Sequence, residues 1–485
     1  MKRTVVAYLL GKILLVESLL LLLPVIIGLI YREPVQQIGS YLFVSILLGI
    51  IAFLAGRLNP KKIKLYSREG MVIVALGWIT LSFFGALPLV LTKEIPNIFD
   101  AFFEIASGFT TTGSSILPTL STLKHSSLFW RSFTHFVGGM GFLVFTLAVL
   151  PNTSEYIQLM RAEVPGPTFG KLVSKLSGTA RILYGLYIIM TAILVLVLVL
   201  VKVPLFDAFL LAFGTAGTGG FGINDQGFAI YQHKQMIEWI IGIGMLLFGI
   251  NFNIYYLSLL GYLKELLKND EELRFYILIV ITATTLIIVN VMRYYDAFSD
   301  LLREVFFTVS SIITTTGYSV TDFSKWPVFS QIILVLLMFI GGCAGSTAGG
   351  IKVIRILIYI KESIAELKRS AQNGRVVVPK ISGKALSKRV ENQVSHYLMV
   401  YIVMFVIILL SVSTEANDFT TAFTAVAATF NNIGPGLSEV GPVANFSIFS
   451  NWNKFILSIG MIAGRLEIYP MIILFSPTTV KKLLE

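Results

Sequence analysis

Apolar runs long enough to cross a lipid bilayer recur along the whole of this 485-residue chain. A helix needs about 20 mainly apolar residues to span the hydrocarbon core of a membrane. Hydrophobic residues make up 55% of the chain and charged residues 13%, and the mean hydropathy is +0.80. A soluble protein of this length could not bury so much apolar surface. The sequence therefore predicts an all-α polytopic membrane protein.

The first apolar run, residues 4–30, follows the basic pair Lys2 and Arg3. It is too long for the apolar core of a signal peptide, and no small-x-small cleavage site follows it. We expect a retained membrane span. Because Cys343 is the only cysteine, no intrachain disulfide can form.

Basic residues cluster in the loops between the apolar runs, and such clusters mark the cytoplasmic side of a membrane. The largest cluster lies within residues 352–389, and Lys481 and Lys482 close the chain on the same side. We expect a protein of the cytoplasmic (inner) membrane with both termini cytoplasmic. The net charge of +11 then reflects topology and contact with anionic membrane lipids, and not binding of nucleic acid. The other clusters are Arg57, Lys61, Lys62, Lys64 and Arg68; Arg161, Lys171, Lys175 and Arg181; and Lys264, Lys268 and Arg274.

Between the basic loops, the chain repeats one order of events four times. Each unit has a span, a loop, a short apolar segment, a break rich in glycine and threonine, and a second span. Two preliminary spans, at about 4–31 and 38–57, precede the units. We divide the chain into the N-terminal pair and four pore units, which we expect in a pseudo-fourfold arrangement around one pore. These segments are 1–60, 61–155, 156–262, 263–390 and 391–485.

Each short apolar segment begins near an aspartate, which is a good helix N-cap. The segment is too short to span the membrane, so it must enter and leave from the extracellular face as a re-entrant half-helix. Non-helical backbone at this depth must be shielded by protein or line a watery cavity, so the breaks should face a common axis. The negative dipole ends of the half-helices would then favour a cation there. The aspartates are Asp100, Asp207, Asp296 or Asp300, and Asp418.

Threonine and glycine dominate the breaks, as in the run T-T-T-G at 110–113 and again at 314–317. Glycine adopts backbone conformations that are closed to other residues. A ring of carbonyl oxygens turned inward can replace the hydration shell of K⁺. The key glycines are Gly113, Gly219, Gly317 and Gly434, although Gly217 or Gly220 could take the second place. The predicted K⁺ ligands are Thr111, Thr112, Gly113, Thr218, Gly219, Gly220, Thr315, Thr316, Gly317, Asn432, Ile433 and Gly434.

These breaks, with the motif F-W-R-S-F-T-H-F-V-G-G-M-G at 129–141, resemble the Trk/Ktr/HKT superfamily of potassium transporters, and in particular its TrkH branch. The resemblance covers nearly the whole chain, including the two extra N-terminal spans of that branch. It implies ten spans, a homodimer with one pore per subunit, and a cytoplasmic nucleotide-binding regulatory ring of the TrkA type. The run N-N-I-G-P-G at 431–436 departs from the pattern because it has no threonine run.

Five glycines interrupt the second helix of the third unit, where each would cost about 1 kcal/mol in a regular helix. By the resemblance, this is an intramembrane gating loop below the filter, and Arg465 projects beneath the filter as a fixed positive charge. The alternatives are a glycine-rich packing face and a structural pair of Arg465 with Glu467. We expect Lys352 and Arg355 at the cytoplasmic end, facing solvent or lipid. The predicted gate residues are Gly341, Gly342, Gly345, Gly349, Gly350 and Arg465.

Two classes of function fit this pattern: channel-like uptake of K⁺, and a secondary transporter that couples K⁺ to Na⁺ or H⁺ by alternating access. A coupled carrier would usually have buried carboxylates in its spans, and only Glu467 looks deep. The sequence therefore favours the channel, with K⁺ as the transported ion and no organic cofactor. No nucleophile and base pair or zinc protease motif indicates an enzyme. The remaining acids of note, expected at the extracellular mouths, are Asp100, Glu104, Asp225, Asp322 and Glu439.

Overall fold

A computed structural model describes residues 3–58, 60, 66–141, 176–371 and 377–484. These residues are mostly helical, and their only strands form one antiparallel hairpin of Lys380–Ile381 with Lys384–Ala385. The all-α prediction is confirmed. Several of the basic residues used to assign topology lie outside the described residues, as does the end of the first unit. These basic residues are Lys2, Lys61, Lys62, Lys64, Arg161, Lys171 and Lys175.

The α-helices of the described residues alternate between span-length and short elements. In chain order they are α1 Arg3–Leu20, α2 Leu22–Ile30, α3 Val35–Gly56, α4 Ser67–Leu91, α5 Ile98–Phe109, α6 His125–Gly139, α7 Leu176–Leu200, α8 Leu205–Gly217, α9 Lys234–Phe248, α10 Phe252–Leu259, α11 Leu263–Asn269, α12 Glu271–Val291, α13 Phe298–Ile313, α14 Val328–Ile340, α15 Val353–Ala371, α16 Lys388–Val412, α17 Phe419–Phe430, α18 Asn451–Arg465, α19 Tyr469–Phe475 and α20 Pro477–Leu484. Short 3₁₀ turns cover Gly227–Ile230, Met292–Tyr294, Phe323–Lys325, Ser438–Val440 and Phe446–Ile448.

Six helical segments of the described chain are long and apolar enough to cross a membrane. Large apolar side chains such as Phe53 and Leu410 are 62% and 65% exposed, as expected where lipid replaces water around the protein. A further pair, α9 and α10, would make one span if it were straight, but it bends by 89°. The six segments are Arg3–Ile30, Val35–Gly56, Arg68–Leu91, Arg181–Leu200, Glu271–Tyr294 and Lys388–Val412.

The first two spans form a closely packed hairpin beside the pore units. A Cβ atom on Gly11 would lie only 2.4 Å from the Cβ of Ala55, so the small residues bring α1 and α3 close together. Ser18 and Ser45 each donate a hydroxyl hydrogen bond to the other's backbone carbonyl, at 2.8 and 2.7 Å. Packing and polar contacts thus join this hairpin without help from water.

Four short helices, α5, α8, α13 and α17, have 12, 13, 16 and 12 residues. Asp418 is the N-cap of α17, but the N-cap of α5 is Asn97, and α8 and α13 begin without a side-chain cap. The prediction of an aspartate N-cap was wrong for these three helices, because their aspartates lie inside the first turn. There the negative charge still interacts favourably with the helix dipole. These residues are Asp100, Asp207 and Asp300.

The helix that follows each short helix also stops early. α6, α9, α14 and α18 end after 15, 15, 13 and 15 residues. The sequence predicted such a break only in the third unit. Beyond α18 the chain turns at Glu467 and Ile468, whose φ angles are 55° and 71°, a conformation that is strained for a β-branched residue.

Candidate functional site

The chain leaves the first short helix, α5, through a turn of defined geometry. Thr111 and Gly113 have φ angles of 55° and 81°, in the left-handed region that favours glycine. The amide of Thr112 donates to the carbonyl of Ser107 at 2.8 Å. Thr110 and Thr112 join their hydroxyl groups at 2.7 Å. The backbone is therefore held in a non-helical form by its own hydrogen bonds.

The other three short helices end in the same way. In each, two residues with positive φ flank a middle residue whose amide donates to a carbonyl five residues earlier, at 2.9, 2.8 and 2.8 Å. Four separate parts of the chain thus share one backbone conformation. The fourth unit adopts it although it lacks a threonine run. The positive-φ pairs are Thr111 and Gly113, Thr218 and Gly220, Thr315 and Gly317, and Asn432 and Gly434.

This comparison settles which glycine of the second unit corresponds to Gly113. Gly220 has the positive φ, of 67°, whereas Gly219 takes the place of the middle residue Thr112. Gly220, one of the three glycines left open at this position, is therefore the counterpart of Gly113 in backbone conformation. The sequence could not decide because glycine occupies positions 217, 219 and 220.

The four turns contact one another in a closed ring. A Cβ atom added to Gly113 would lie 1.9 Å from the carbonyl oxygen of Gly219. Cβ atoms added to Gly220 and Gly317 would lie equally close to the carbonyl oxygens of Thr316 and Ile433, respectively. The ring closes where a Cβ on Gly434 would lie 2.9 Å from the carbonyl oxygen of Thr112. Any side chain at these glycines would overlap the neighbouring backbone, so both space and φ require glycine.

All four of these glycines line one cavity of about 470 Å³. Asp225 lies on its rim, where the Thr119 hydroxyl and the Leu120 amide both donate to its carboxylate at 2.6 Å. These hydrogen bonds lower the pKa of Asp225 below its ordinary value, so the rim carries a negative charge at neutral pH. The cavity can therefore attract a cation to this side of the ring.

Asparagine replaces threonine in the fourth turn and makes polar contacts of its own. The Asn432 amide nitrogen donates to the Thr112 hydroxyl and to the carbonyl of Met461, both at 2.9 Å. The neighbouring Asn431 accepts a hydrogen bond from the Tyr401 hydroxyl at 2.7 Å. The side-chain amides thus tie the fourth turn to the first turn and to α18.

The glycine-rich segment between α14 and α15, residues 341–352, forms a loop directly beside the ring. The Gly349 amide donates to the Thr315 hydroxyl at 2.6 Å, and the Gly350 amide donates to the carbonyl of Asn431 at 3.1 Å. Gly341, Gly345 and Gly350 all have positive φ angles. Two of the predicted gate glycines therefore form hydrogen bonds with the third and fourth turns or the residue directly before them.

The opposite side of the loop is attached to the bend between α9 and α10. The Cys343 amide donates to the carbonyl of Gly249 at 3.0 Å, and the Phe252 amide donates to the carbonyl of Gly345 at 3.1 Å. The bend between α9 and α10 in the second unit thus holds the loop in place through hydrogen bonds. This bend was not predicted from the sequence. The run F-G-I-N at 248–251, with its glycine and asparagine, was the available signal.

Arg465 lies at the end of α18, where its guanidinium donates to three backbone carbonyls. Nη1 donates to Thr347 in the loop at 2.8 Å, and Nη2 donates to Gly138 and Gly139 at the end of α6, both at 2.6 Å. The Arg465 side chain thus connects the loop to the first unit. Glu467, the alternative partner, pairs with Arg355 at 2.8 Å.

Two predictions about charged residues were wrong. Lys352 and Arg355 are buried, with 2% and 5% of their surface exposed, because they bond the Ala348 carbonyl and Glu467 respectively. Glu104, expected at an extracellular mouth, is fully buried in an ion pair with Arg131. The apolar spacing gave no signal for this pair, although the charged residue inside the motif at 129–141 pointed to a buried partner.

Comparison with known proteins gives consistent matches. Residues 36–482 match the TrkH family, described as cation transport proteins. The Trk system potassium uptake protein TrkH of Salmonella typhimurium is 36% identical over 478 residues, covering 96% of this chain and 97% of that protein. The same-named protein of Escherichia coli K12 is 35% identical over 476 residues, with the same coverage. The crystal structure of the potassium transporter TrkH from Vibrio parahaemolyticus superposes with a TM-score of 0.87, at 32% identity, over 99% of this chain and all of that one.

Proposed function

This chain belongs to the TrkH family of cation transport proteins and transports potassium, and we propose that K⁺ enters the cell through one pore that passes through the ring of four turns. The turns act as the selectivity filter, and the pore works as a gated channel. The observation that carries this proposal is the closed ring itself, in which four glycines of equivalent conformation line one cavity.

Carbonyl oxygens supply the chemistry of the proposed filter. A dehydrated K⁺ ion needs a cage of oxygens, and the four turns offer backbone carbonyls, with threonine hydroxyls in the first three turns only. The predicted ligands therefore stand as proposed, with Gly220 in the place of the second key glycine. Each turn is short, so few complete rings of oxygens are available and we expect only moderate discrimination against Na⁺.

The loop at residues 341–352 is the proposed gate. Its amide groups bond the inner oxygens of Thr315 and Asn431, which would otherwise be free to face a permeating ion. Arg465 holds the loop from the other side and adds a fixed positive charge. Opening would require these hydrogen bonds to break.

The proposed assembly is a homodimer in the cytoplasmic membrane, with both termini cytoplasmic and a TrkA-type nucleotide-binding ring below the gate. The basic helix α15, whose last turn carries Lys368 and Arg369, lies directly after the loop. A partner that bound this helix could move the gate. Anionic lipid headgroups would meet the same basic surface.

Flux measurements in liposomes test the proposal. Purified protein is reconstituted with and without a partner ring, and uptake of K⁺, Rb⁺ and Na⁺ is measured under an imposed voltage. We expect K⁺ and Rb⁺ uptake to exceed Na⁺ uptake, and single-protein recordings to show unitary currents. Equal uptake of all three ions would refute the filter.

One observation favours the coupled transporter as a second candidate. Glu17 lies at mid-span in α1 with no exposed surface, and both of its carboxyl oxygens lack hydrogen-bond partners within the described residues. A buried carboxyl group in a span is typical of a proton or ion site. If K⁺ uptake followed an imposed pH gradient, and Glu17→Gln abolished this dependence, the coupled mechanism would replace the channel.

A further inference from the structure

We propose that the buried ion pair of Glu104 and Arg131 positions the outer end of the selectivity filter and so contributes to the choice between K⁺ and Na⁺. This inference rests on the proposed function of the four turns as the filter. Glu104 lies on the first short helix, α5, and Arg131 lies on α6. Their nearest atoms, Glu104 Oε1 and Arg131 Nη2, are 2.6 Å apart.

Glu104 binds the extended segment that follows the first turn, at Ser115 and Ile116. Its carboxylate accepts hydrogen bonds from the Ser115 hydroxyl at 2.9 Å and from the Ile116 amide at 3.0 Å. Ser115 follows Gly113 by two residues. Arg131 donates to the same carboxylate through Nε at 2.8 Å as well as through Nη2. All of these donors converge on one buried acid, which fixes the extended segment after the first turn.

Arg131 extends the same contact to the second unit. Its guanidinium lies 4.2 Å from the ring centre of Phe221, and Nη1 approaches the carbonyl of Gly222 at 3.4 Å. Phe221 and Gly222 directly follow the filter glycine Gly220. The guanidinium also lines the cavity above the ring. One side chain therefore connects the outer ends of two adjacent filter turns.

The pair is confined to the first unit of the filter. Glu104 lies seven residues before Thr111, the first residue of its turn with positive φ. The corresponding residues of the other units carry no carboxylate. They are Leu211, Thr308 and Ala425. The inference thus predicts an asymmetric filter, in which a buried carboxylate fixes the outer ends of the first and second turns and has no counterpart at the same position of the third and fourth units.

Stability alone gives little reason for such a pair. Burying two charges removes their hydration, and apolar residues of similar volume often stabilise a fold equally well. Two charge-assisted hydrogen bonds from Arg131 Nε and Nη2 to the single oxygen Glu104 Oε1 do, however, fix direction as well as distance. Position is what a filter needs, because the carbonyl direction decides how well an ion of a given size is coordinated.

The test compares variants of this pair with a second buried ion pair, whose hydrogen bonds reach no residue of the four turns. Ser115→Ala removes the hydroxyl hydrogen bond to Glu104 and Arg131→Lys keeps the charge of the pair, whereas Glu104→Gln leaves the buried Arg131 guanidinium facing a neutral amide, so folding must be measured for each variant. Glu238 and Arg303 form a similarly buried pair, also at 2.6 Å, between α9 and α13. Glu238→Gln therefore serves as the control. Melting temperature and size-exclusion profile in detergent report folding, and K⁺, Rb⁺ and Na⁺ flux in liposomes reports selection.

We expect Glu104→Gln to lower the ratio of K⁺ to Na⁺ permeability by about fivefold, which corresponds to the loss of one hydrogen bond of ordinary strength. Arg131→Lys should act in the same direction, and Ser115→Ala should give a smaller change in a fully stable protein. Glu238→Gln should lower only the melting temperature. If the Glu104 and Ser115 variants fold and keep the wild-type ratio, the positioning role is wrong.

Gly113→Ser in the same assay separates the two levels of the proposal. If Gly113→Ser changes the ratio of K⁺ to Na⁺ permeability while Glu104→Gln does not, only the proposed role of the ion pair is rejected. If neither variant changes the ratio, the four turns are not the filter and the proposed function falls with the inference. If Glu238→Gln changes the ratio as much as Glu104→Gln, the effect is one of general destabilisation and the positioning role is also rejected.

Discussion

Single residues decide whether the filter backbone can close. Gly113 combines a φ of 81° with a neighbouring carbonyl that would lie 1.9 Å from an added Cβ. We predict that Gly113→Ser displaces the Gly219 carbonyl and lowers the K⁺ to Na⁺ permeability ratio by about tenfold, equivalent to about 1.4 kcal/mol. Relative flux of the two ions in liposomes measures this.

Gly383 provides the control for this substitution. Its φ is 79°, but a Cβ atom there would have no neighbour within 4 Å, and it lies in the hairpin between the two short strands. Gly383→Ser imposes the same backbone strain and should leave the permeability ratio unchanged. A wild-type ratio in folded Gly113→Ser would contradict the filter assignment.

Arg465 acts at the same scale, through its charge and its three carbonyl contacts. At an effective dielectric of about 20, two unit charges about 6 Å apart repel by roughly 3 kcal/mol. We predict that Arg465→Ala raises K⁺ flux by at least about tenfold while the ratio of K⁺ to Na⁺ stays nearly constant. Flux in liposomes without the partner ring is the measurement.

Arg465→Lys separates the effect of the positive charge from the effect of the hydrogen bonds that join α6 to the loop. Lysine keeps the positive charge, but its ammonium group lacks the planar fork that reaches both α6 and the loop. We therefore expect an intermediate flux. If Arg465→Ala, properly assembled, showed flux equal to or below the wild type, the residue would be structural and not a barrier.

At the scale of elements, the loop and the filter share hydrogen bonds, so they cannot move independently. A Cβ atom on Gly349 would lie 2.4 Å from the carbonyl oxygen of Asn431. We predict that Gly349→Ala, and more strongly the deletion of several residues within 341–350, raises flux in the absence of the partner ring. Gly39→Ala, where the added atom meets nothing within 4 Å, should not. Unchanged basal flux in the deletion variant would exclude the loop as the gate.

The elements differ in how far the sequence reveals them. The short helices and the third-unit loop were predictable because runs of threonine and glycine disfavour helix locally. The end of α18 was not, since the chain there reads G-R-L-E-I-Y and the break depends on Arg465 and Glu467 finding partners elsewhere. The aspartate N-caps expected for α5, α8 and α13 were also wrong, because spacing cannot distinguish a cap from a first-turn residue. What was missed depends on contacts between distant parts of the chain.

At the scale of the whole molecule, the ring brings all four pore units together through backbone atoms. In the proposed filter, carbonyl oxygens from the four turns would face one ion, and like dipoles at close range repel one another. An ion of suitable size would offset this repulsion and join four parts of a chain that are far apart in sequence. Ion binding should therefore stabilise the protein as a whole.

We predict that K⁺ and Rb⁺ raise the melting temperature of the purified protein in detergent, whereas Na⁺ and Li⁺ do so much less. An ion that binds only the folded state stabilises it by about 2.7 kcal/mol when present at 100 times its dissociation constant. Thermal unfolding at constant ionic strength, with choline replacing the alkali ion, gives the shift. Gly113→Ser should abolish the difference between K⁺ and Na⁺, while Gly383→Ser should retain it. Equal shifts with all four ions would mean that the ring does not select by ion size, and the proposed filter would lose its physical basis.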